Sequence, residues 1–115
     1  MANTFKVITK AGVTSLDVIY TVASSTTTVV LGLVLGNTTT SQVTATVTLN
    51  TDTAARSGAN DEANQAVELV TNAPIPAASS LELLAGNKVV LETTDEIKVS
   101  ASGATDVALS VMEIT

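Results

Sequence analysis

Apolar and polar positions alternate through most of the chain, at the period of two expected of strands with one buried face. The pattern is cleanest over Gln42 to Leu49, where Val43, Ala45, Val47 and Leu49 point one way and Thr44, Thr46 and Thr48 the other. Glu96 to Ala101 repeats it, with Ile97, Val99 and Ala101 set against Lys98 and Ser100, and Asp106 to Thr115 does so through Val107, Leu109 and Val111. Phe5 to Thr9 and Leu16 to Ala23 predict two further strands, divided by a turn at Ala11-Gly12. Ala66 to Val70, Leu81 to Leu84 and Lys88 to Glu92 predict more, the last two flanking a turn at Ala85-Gly86-Asn87. Polar Thr, Ser, Asn and Gly clusters separate these segments at short intervals, which is the all-β pattern.

Several stretches depart from simple alternation. Thr26 to Gly36 is apolar on both faces, with Val29, Leu31, Leu33 and Leu35 on one and Val30, Gly32 and Val34 on the other. Two arrangements satisfy this. Either the second face, through Val30 and Val34, meets another subunit, or the strand is a bulged core strand whose glycines mark close approach of backbones. Beyond Val111 the apolar phase shifts to Met112 and Ile114, around Glu113. A bulge or a strand buried on both faces would explain it, and both residues are interface candidates. Asn72-Ala73-Pro74-Ile75-Pro76 has to be extended and partly unpaired, because its two prolines lack ladder donors. Pro74, Ile75 and Pro76 are therefore also candidate contacts.

Thr51 to Gln65 (TDTAARSGANDEANQ) has almost no large apolar residue and predicts the longest loop, where a partner would bind. Arg56, the only arginine, lies in it and suits an interface because its planar fork pairs with carboxylates. Asn60 and Asp61 are the neighbouring candidates. The same residues allow a short helix over Asp61 to Ala66, capped by Asn60.

Composition strengthens the strand reading. Twenty threonines and 16 valines in 115 residues are β-branched side chains that fit a pleated, half-buried surface. About eight short strands in one domain spanning residues 1–115 predict a single antiparallel β-sandwich or jelly roll. Phe5 and Tyr20 are the only aromatics, so the core has to be built from small aliphatic side chains. Such a core is modestly stabilising in a chain of this length, and self-association would supplement it.

The chain has no His, no Cys and no Trp. No Ser–His triad can be assembled, and no Ser-x-x-Lys or phosphate-cradling glycine loop occurs. A carboxylate pair for glycoside cleavage would need sugar-holding groups that a chain with two aromatics does not offer. The acidic doublets Asp61-Glu62 and Asp95-Glu96 lack the spacing of a dedicated calcium loop. No enzyme activity, cofactor or metal is expected. Five basic against 11 acidic residues give a net charge of −6, which disfavours nucleic acid. The N-terminal residues do not form a secretory signal, and the longest apolar run, Val29 to Leu35, is too short to cross a bilayer as a helix. A soluble protein made in the cytosol is the expectation.

One further pattern runs through the C-terminal half. Val70-Thr71-Asn72-Ala73-Pro74-Ile75-Pro76, Ser79-Ser80-Leu81, Lys88-Val89-Val90-Leu91-Glu92, Asp95-Glu96-Ile97-Lys98-Val99 and Leu109-Ser110-Val111-Met112-Glu113-Ile114-Thr115 follow in order, after the opening Met1-Ala2-Asn3-Thr4-Phe5-Lys6. Together they resemble small virion structural proteins of tailed bacteriophages, notably those of cyanobacteria. The likeness covers the chain outside Thr51 to Gln65, a segment longer and more polar than the family leads one to expect. It implies a β-sandwich that assembles on the particle without catalysing a reaction. The expected role is a capsid decoration (cement) protein on the outside of the head, a trimer touching itself and the major capsid protein. The alternatives are a neck, tail or fibre-attachment component and, more remotely, a carbohydrate-binding adhesive module.

Overall fold

The computed structural model describes residues 2–51, 65–83 and 88–115, and these form two antiparallel sheets packed face to face. In chain order the strands are Asn3–Val13 (β1), Asp17–Thr21 (β2), Thr27–Asn37 (β3), Val43–Thr51 (β4), Gln65–Ile75 (β5), Ser80–Leu83 (β6), Val89–Leu91 (β7), Glu96–Ala101 (β8) and Thr105–Ile114 (β9). One sheet has the order β1-β9-β3-β6, with β7 pairing β3 beside β6; the other is β2-β8-β4-β5. The fold is the expected β-sandwich. There is no helix among the described residues, so none is long and apolar enough to cross a membrane. The proposed helix over Asp61 to Ala66 lies mostly outside them, and its last two residues begin β5.

The core is aliphatic, as the composition required. Leu33, Leu35, Ile75, Leu91, Ile97 and Leu109 are its largest wholly buried side chains, joined by Val22, Val30, Val47, Val99 and Val111. Tyr20 is its only aromatic, since Phe5 lies outside. Thr28, Asn37, Asp95 and Thr105 are buried polar residues, yet no buried side-chain nitrogen or oxygen among the described residues lacks a hydrogen bond. Unpaired buried polar groups cost about 1–3 kcal/mol each, so this accounting matters in a core without large side chains.

Four strands carry bulges that set which face each residue occupies. In β3 the ladder to β9 shifts between Val30 and Gly32, so Leu31 is the extra residue. Thr28 and Val30 before the bulge point inward together with Leu33, Leu35 and Asn37 after it. The strand is bulged as one of the two readings required, but Gly32 marks no close approach of backbones, since a Cβ there would have no heavy atom within 4 Å. In β1 the shift falls between Lys10 and Val13, where Gly12 has φ of 67° and donates its N–H to Asp106 Oδ1 at 2.9 Å. The expected turn at Ala11-Gly12 is thus a bulge within a longer strand, and the chain reverses after Val13 instead. The shift in β2 falls between Val18 and Tyr20, and β5 shifts twice against β4, with Asn72 at φ of 49° in one bulge.

The sandwich ends are tied by side chains that replace missing ladder bonds. Asn37, carried inward by the β3 bulge, donates from Nδ2 to the carbonyls of Ser41 (2.8 Å), Ile75 (3.0 Å) and Pro76 (3.1 Å). Its Oδ1 accepts from Thr39 N–H at 2.9 Å and Thr39 Oγ1 at 2.8 Å. Buried Asp95 is not a solvated turn residue: its Oδ2 accepts from Glu92 N–H at 3.0 Å, and its carbonyl accepts from Val22 N–H at 3.0 Å.

Two substitutions test this frame. A Cβ at Gly103 would sit 2.7 Å from Val43 Cγ1, so Gly103→Ala should lower unfolding free energy by about 1–3 kcal/mol in chemical denaturation. Ala78 is exposed at φ of 54° in the turn closed by Ser79 N–H on the Pro76 carbonyl. Left-handed backbone costs an L-residue roughly 1–2 kcal/mol, and glycine's extra unfolded freedom offsets about half of that. Ala78→Gly should therefore raise stability by about 0.5–1 kcal/mol.

Candidate functional site

Two features stand apart from the packing: a polar cluster bridging the sheets, and an apolar outer face. In the cluster, Tyr20 on β2 reaches across the sandwich. Its hydroxyl lies 2.8 Å from Thr28 Oγ1 on β3 and donates to Glu113 Oε2 on β9 at 2.5 Å. Glu113 Oε1 pairs with Lys6 Nζ on β1 at 2.9 Å. The Glu113 carboxylate thus joins β1, β2 and β9, and the Tyr20 hydroxyl carries the link on to β3. The pattern of β9 does not shift phase after Val111; Glu113 continues the inward series Val107, Leu109, Val111 so that it can accept these bonds, and Met112 and Ile114 point outward.

The hydrogen bond and charge of Lys6, with the Tyr20 hydroxyl, hold the Glu113 carboxyl below its ordinary 4.5 against the opposing effect of burial. Burial, with the Glu113 carboxylate beside it, pushes the Tyr20 phenol up to about 12. This arrangement suits a structural tie. A phenol held protonated against a carboxylate held ionised has no proton to exchange near neutrality.

The second feature follows from β-strand alternation on the five-stranded sheet. Its outer face carries the cross-strand row Phe5, Met112, Val29 and Val90, then Val7, Ser110 and Gly32, then Thr9, Ala108, Val34 and Glu82. Phe5 is 71% exposed, Val7 64%, Val90 55% and Val34 39%. Ile114 extends the face beyond the first row, opposite Asn3 and Thr27. Around the third row lies a shallow depression of about 380 Å³ lined by Thr9, Ala11, Val34, Gly36, Asp106 and Ala108 among others. Among the described residues only Glu82 and Asp106 bring a carboxylate to this outward phase. The outer face of the other sheet differs in kind: Thr44, Thr46, Thr48, Asn50, Glu68, Glu96, Lys98 and Ser100 occupy it, with Val18 and Ala66.

The strand edges offer little to a partner. β1 carries Lys6 and Lys10 on its inward phase, bound to Glu113 and to Asp17 (3.1 Å), and it is bulged. β2 and β5 are bulged, Pro74 removes a donor from β5, and β6 and β7 are short. Inward charges, bulges, prolines and brevity are the devices that keep sheet edges from pairing with other chains.

The residues singled out by sequence scatter against this geometry. Val34, Met112 and Ile114 lie on the apolar outer face. Val30 does not: the Leu31 bulge turns it into the core, where it is wholly buried. Ile75 is wholly buried as well, opposite Val43, while Pro74 and Pro76 flank it exposed on an edge strand. Arg56, Asn60 and Asp61 lie outside the described residues. Phe5, Val7, Val29 and Val90 were missed; the signal for the first two was the spacing of Phe5 and Val7 around Lys6, which puts them on one face. No group of three or more His, Cys, Asp or Glu able to hold a metal occurs among the described residues.

No protein-family model, curated protein or solved structure matches the chain.

The cluster yields a prediction with a definite sign. A carboxyl whose folded pKa lies below its unfolded value stabilises fully above the unfolded value and loses this as pH falls through the folded one. A phenol shifted upward stabilises below pH 10 and loses this as pH rises toward about 12. Glu113→Gln should cost about 1–2 kcal/mol at pH 7 and flatten the loss of stability below about pH 4.5. Urea midpoints measured from pH 3 to 11, with Tyr20→Phe flattening the alkaline limb, test both arms.

Proposed function

We propose that this protein is a non-enzymatic structural component of a tailed-phage virion, acting as a decoration protein on the outside of the head. The observation that carries the assembly role is the outer face of the five-stranded sheet. Four of its aliphatic or aromatic side chains stand in solvent on a nearly uncharged surface. Contiguous exposed apolar surface of this kind marks an interaction site, and the blunted edges direct contact to the face instead. The phage setting is supported by the ordered likeness from Val70 to Thr115 and at the N-terminus. The chain's lack of His and Cys, and the locked Tyr20–Glu113 pair, suit a protein whose work is contact.

A decoration protein stabilises a shell by binding the assembled lattice more tightly than its dispersed subunits, which is linkage by mass action. Subunit contacts of many weak copies add up without any chemistry. The major capsid protein is the partner this role requires, and the virion surface the location. A neck or tail component would use the same kind of face, in far fewer copies.

Quantitative mass spectrometry of purified particles tests the reading. Copies on the order of hundreds per particle mark the shell, copies on the order of ten mark the neck or tail, and absence from the particle overturns the proposal. The double variant Val34→Asp, Val90→Asp should fold with little change in melting temperature but enter particles at least about tenfold less, a difference of about 1.4 kcal/mol in contact energy.

A further inference from the structure

The geometry points to a second copy of this chain as the occupant of the apolar face, packed face to face about a twofold axis that runs across the strands along the Val7–Ser110–Gly32 row. This rests on reading that face as an assembly contact and names its partner. Self-complementarity carries the argument. Phe5 projects from one side of this row, and the depression around Thr9, Ala108 and Gly36 lies on the other. Each lies two residues from the Val7 row along β1, about 7 Å at strand rise. A twofold axis lying over the row exchanges its two sides, so Phe5 of each copy lands over the depression of its mate.

The midline is built for close approach. Gly32 has no side chain, and a Cβ placed there would have no heavy atom within 4 Å. Ser110, beside it, is small, so the two sheets can close to the roughly 10 Å of sandwich packing. The face has a suitable size. Four strand positions by about ten residues give a plan area on the order of 600–700 Å² before corrugation. A standard stable interface needs about 800 Å² of accessible surface per partner.

Charge favours the same occupant. Two chains of net charge −6 repel unless their carboxylates stay off the contact. Here only Glu82 and Asp106 occupy the outward phase, and Asp106 is turned onto the Gly12 N–H. A face that covers its own copy about a twofold axis closes as a pair, in place of the trimer expected of a decoration protein.

Because the chain has no cysteine, single cysteines can map the axis. Sedimentation at micromolar concentration should give twice the 11.6 kDa chain mass. With a short bismaleimide, Val7→Cys should cross-link to itself. Phe5→Cys alone should not, because the two copies of that residue stand roughly 14 Å apart along the strands, beyond a short linker's reach, whereas a mixture of Phe5→Cys and Thr9→Cys chains should. Phe5→Glu should be monomeric with an unchanged circular dichroism spectrum. A wild-type monomer, a trimer, a dimeric Phe5→Glu, or self-linking of Phe5→Cys overturns the pairing. Monomeric protein that still enters particles overturns the pairing alone and leaves the virion role standing; paired protein absent from particles does the reverse.

Discussion

The phase of β3 governs the molecule. This strand lies between β9 on one side and β6 and β7 on the other, and it is apolar on both faces. Without the extra residue at Leu31, the inward series after Val30 would run Gly32, Val34, Gly36. With it, the series runs Leu33, Leu35, Asn37. Burying a leucine is worth about 1.5–3 kcal/mol, whereas a disturbed ladder position loses about one net hydrogen bond of roughly 1 kcal/mol. Two leucines outweigh one bulge. The same step places Asn37 where its amide can close the sandwich end on Ile75 and Pro76, and it leaves Gly32, Val34 and Gly36 outside. The core and the outer face are thus two consequences of one inserted residue.

The polar tie and the edges follow from the same economy. A sandwich whose only core aromatic is Tyr20 has to place a phenol hydroxyl between its sheets. Thr28 and Glu113 receive it, and Lys6 completes the carboxylate on the outer strand. Lys6 therefore does two things: it satisfies Glu113, and it puts a charge on the inward side of a free strand edge. Lys10 repeats the device with Asp17. Edge pairing is discouraged by the residues that hold the edge in place, and the broad face is what remains for association.

Much of the fold was legible because strand period is a local property. The alternation over Glu96 to Ala101 coincides with β8, and every described strand overlaps a segment read from the pattern. What sequence could not supply was phase across bulges and the identity of strand neighbours, which are set by tertiary contacts. Glu113 illustrates the point: a charged residue between Met112 and Ile114 looks like the outward position until Tyr20, 93 residues away, is seen to require it inside. Gly12 read as a turn because a positive φ serves turns and bulges alike, and the choice was made by Asp106. Phe5 was read only as the start of a strand, and its place on the outer face is set by pairing with Met112. On the site side, Val34, Met112 and Ile114 came from the strand pattern, while Val30 and Ile75 were lost to burial that only pairing decides.

The contrast between the two outer faces shows that the apolar one is not demanded by the fold. Thr44, Thr46 and Thr48 occupy the outward positions of β4 in the opposite sheet, where β-branched residues with a hydroxyl satisfy the pleat while facing water. Threonine at position 7, 29, 34 or 90 would keep the same backbone preference and expose less hydrocarbon, and this chain uses threonine more freely than any other residue. Valine at those positions, with phenylalanine at position 5, leaves solvent-exposed area that contributes nothing to the monomer's core. Such area stabilises only when something covers it, at roughly 25 cal/mol per Å² before the costs of association. The free energy held in that face is therefore realised only on association with something that covers it.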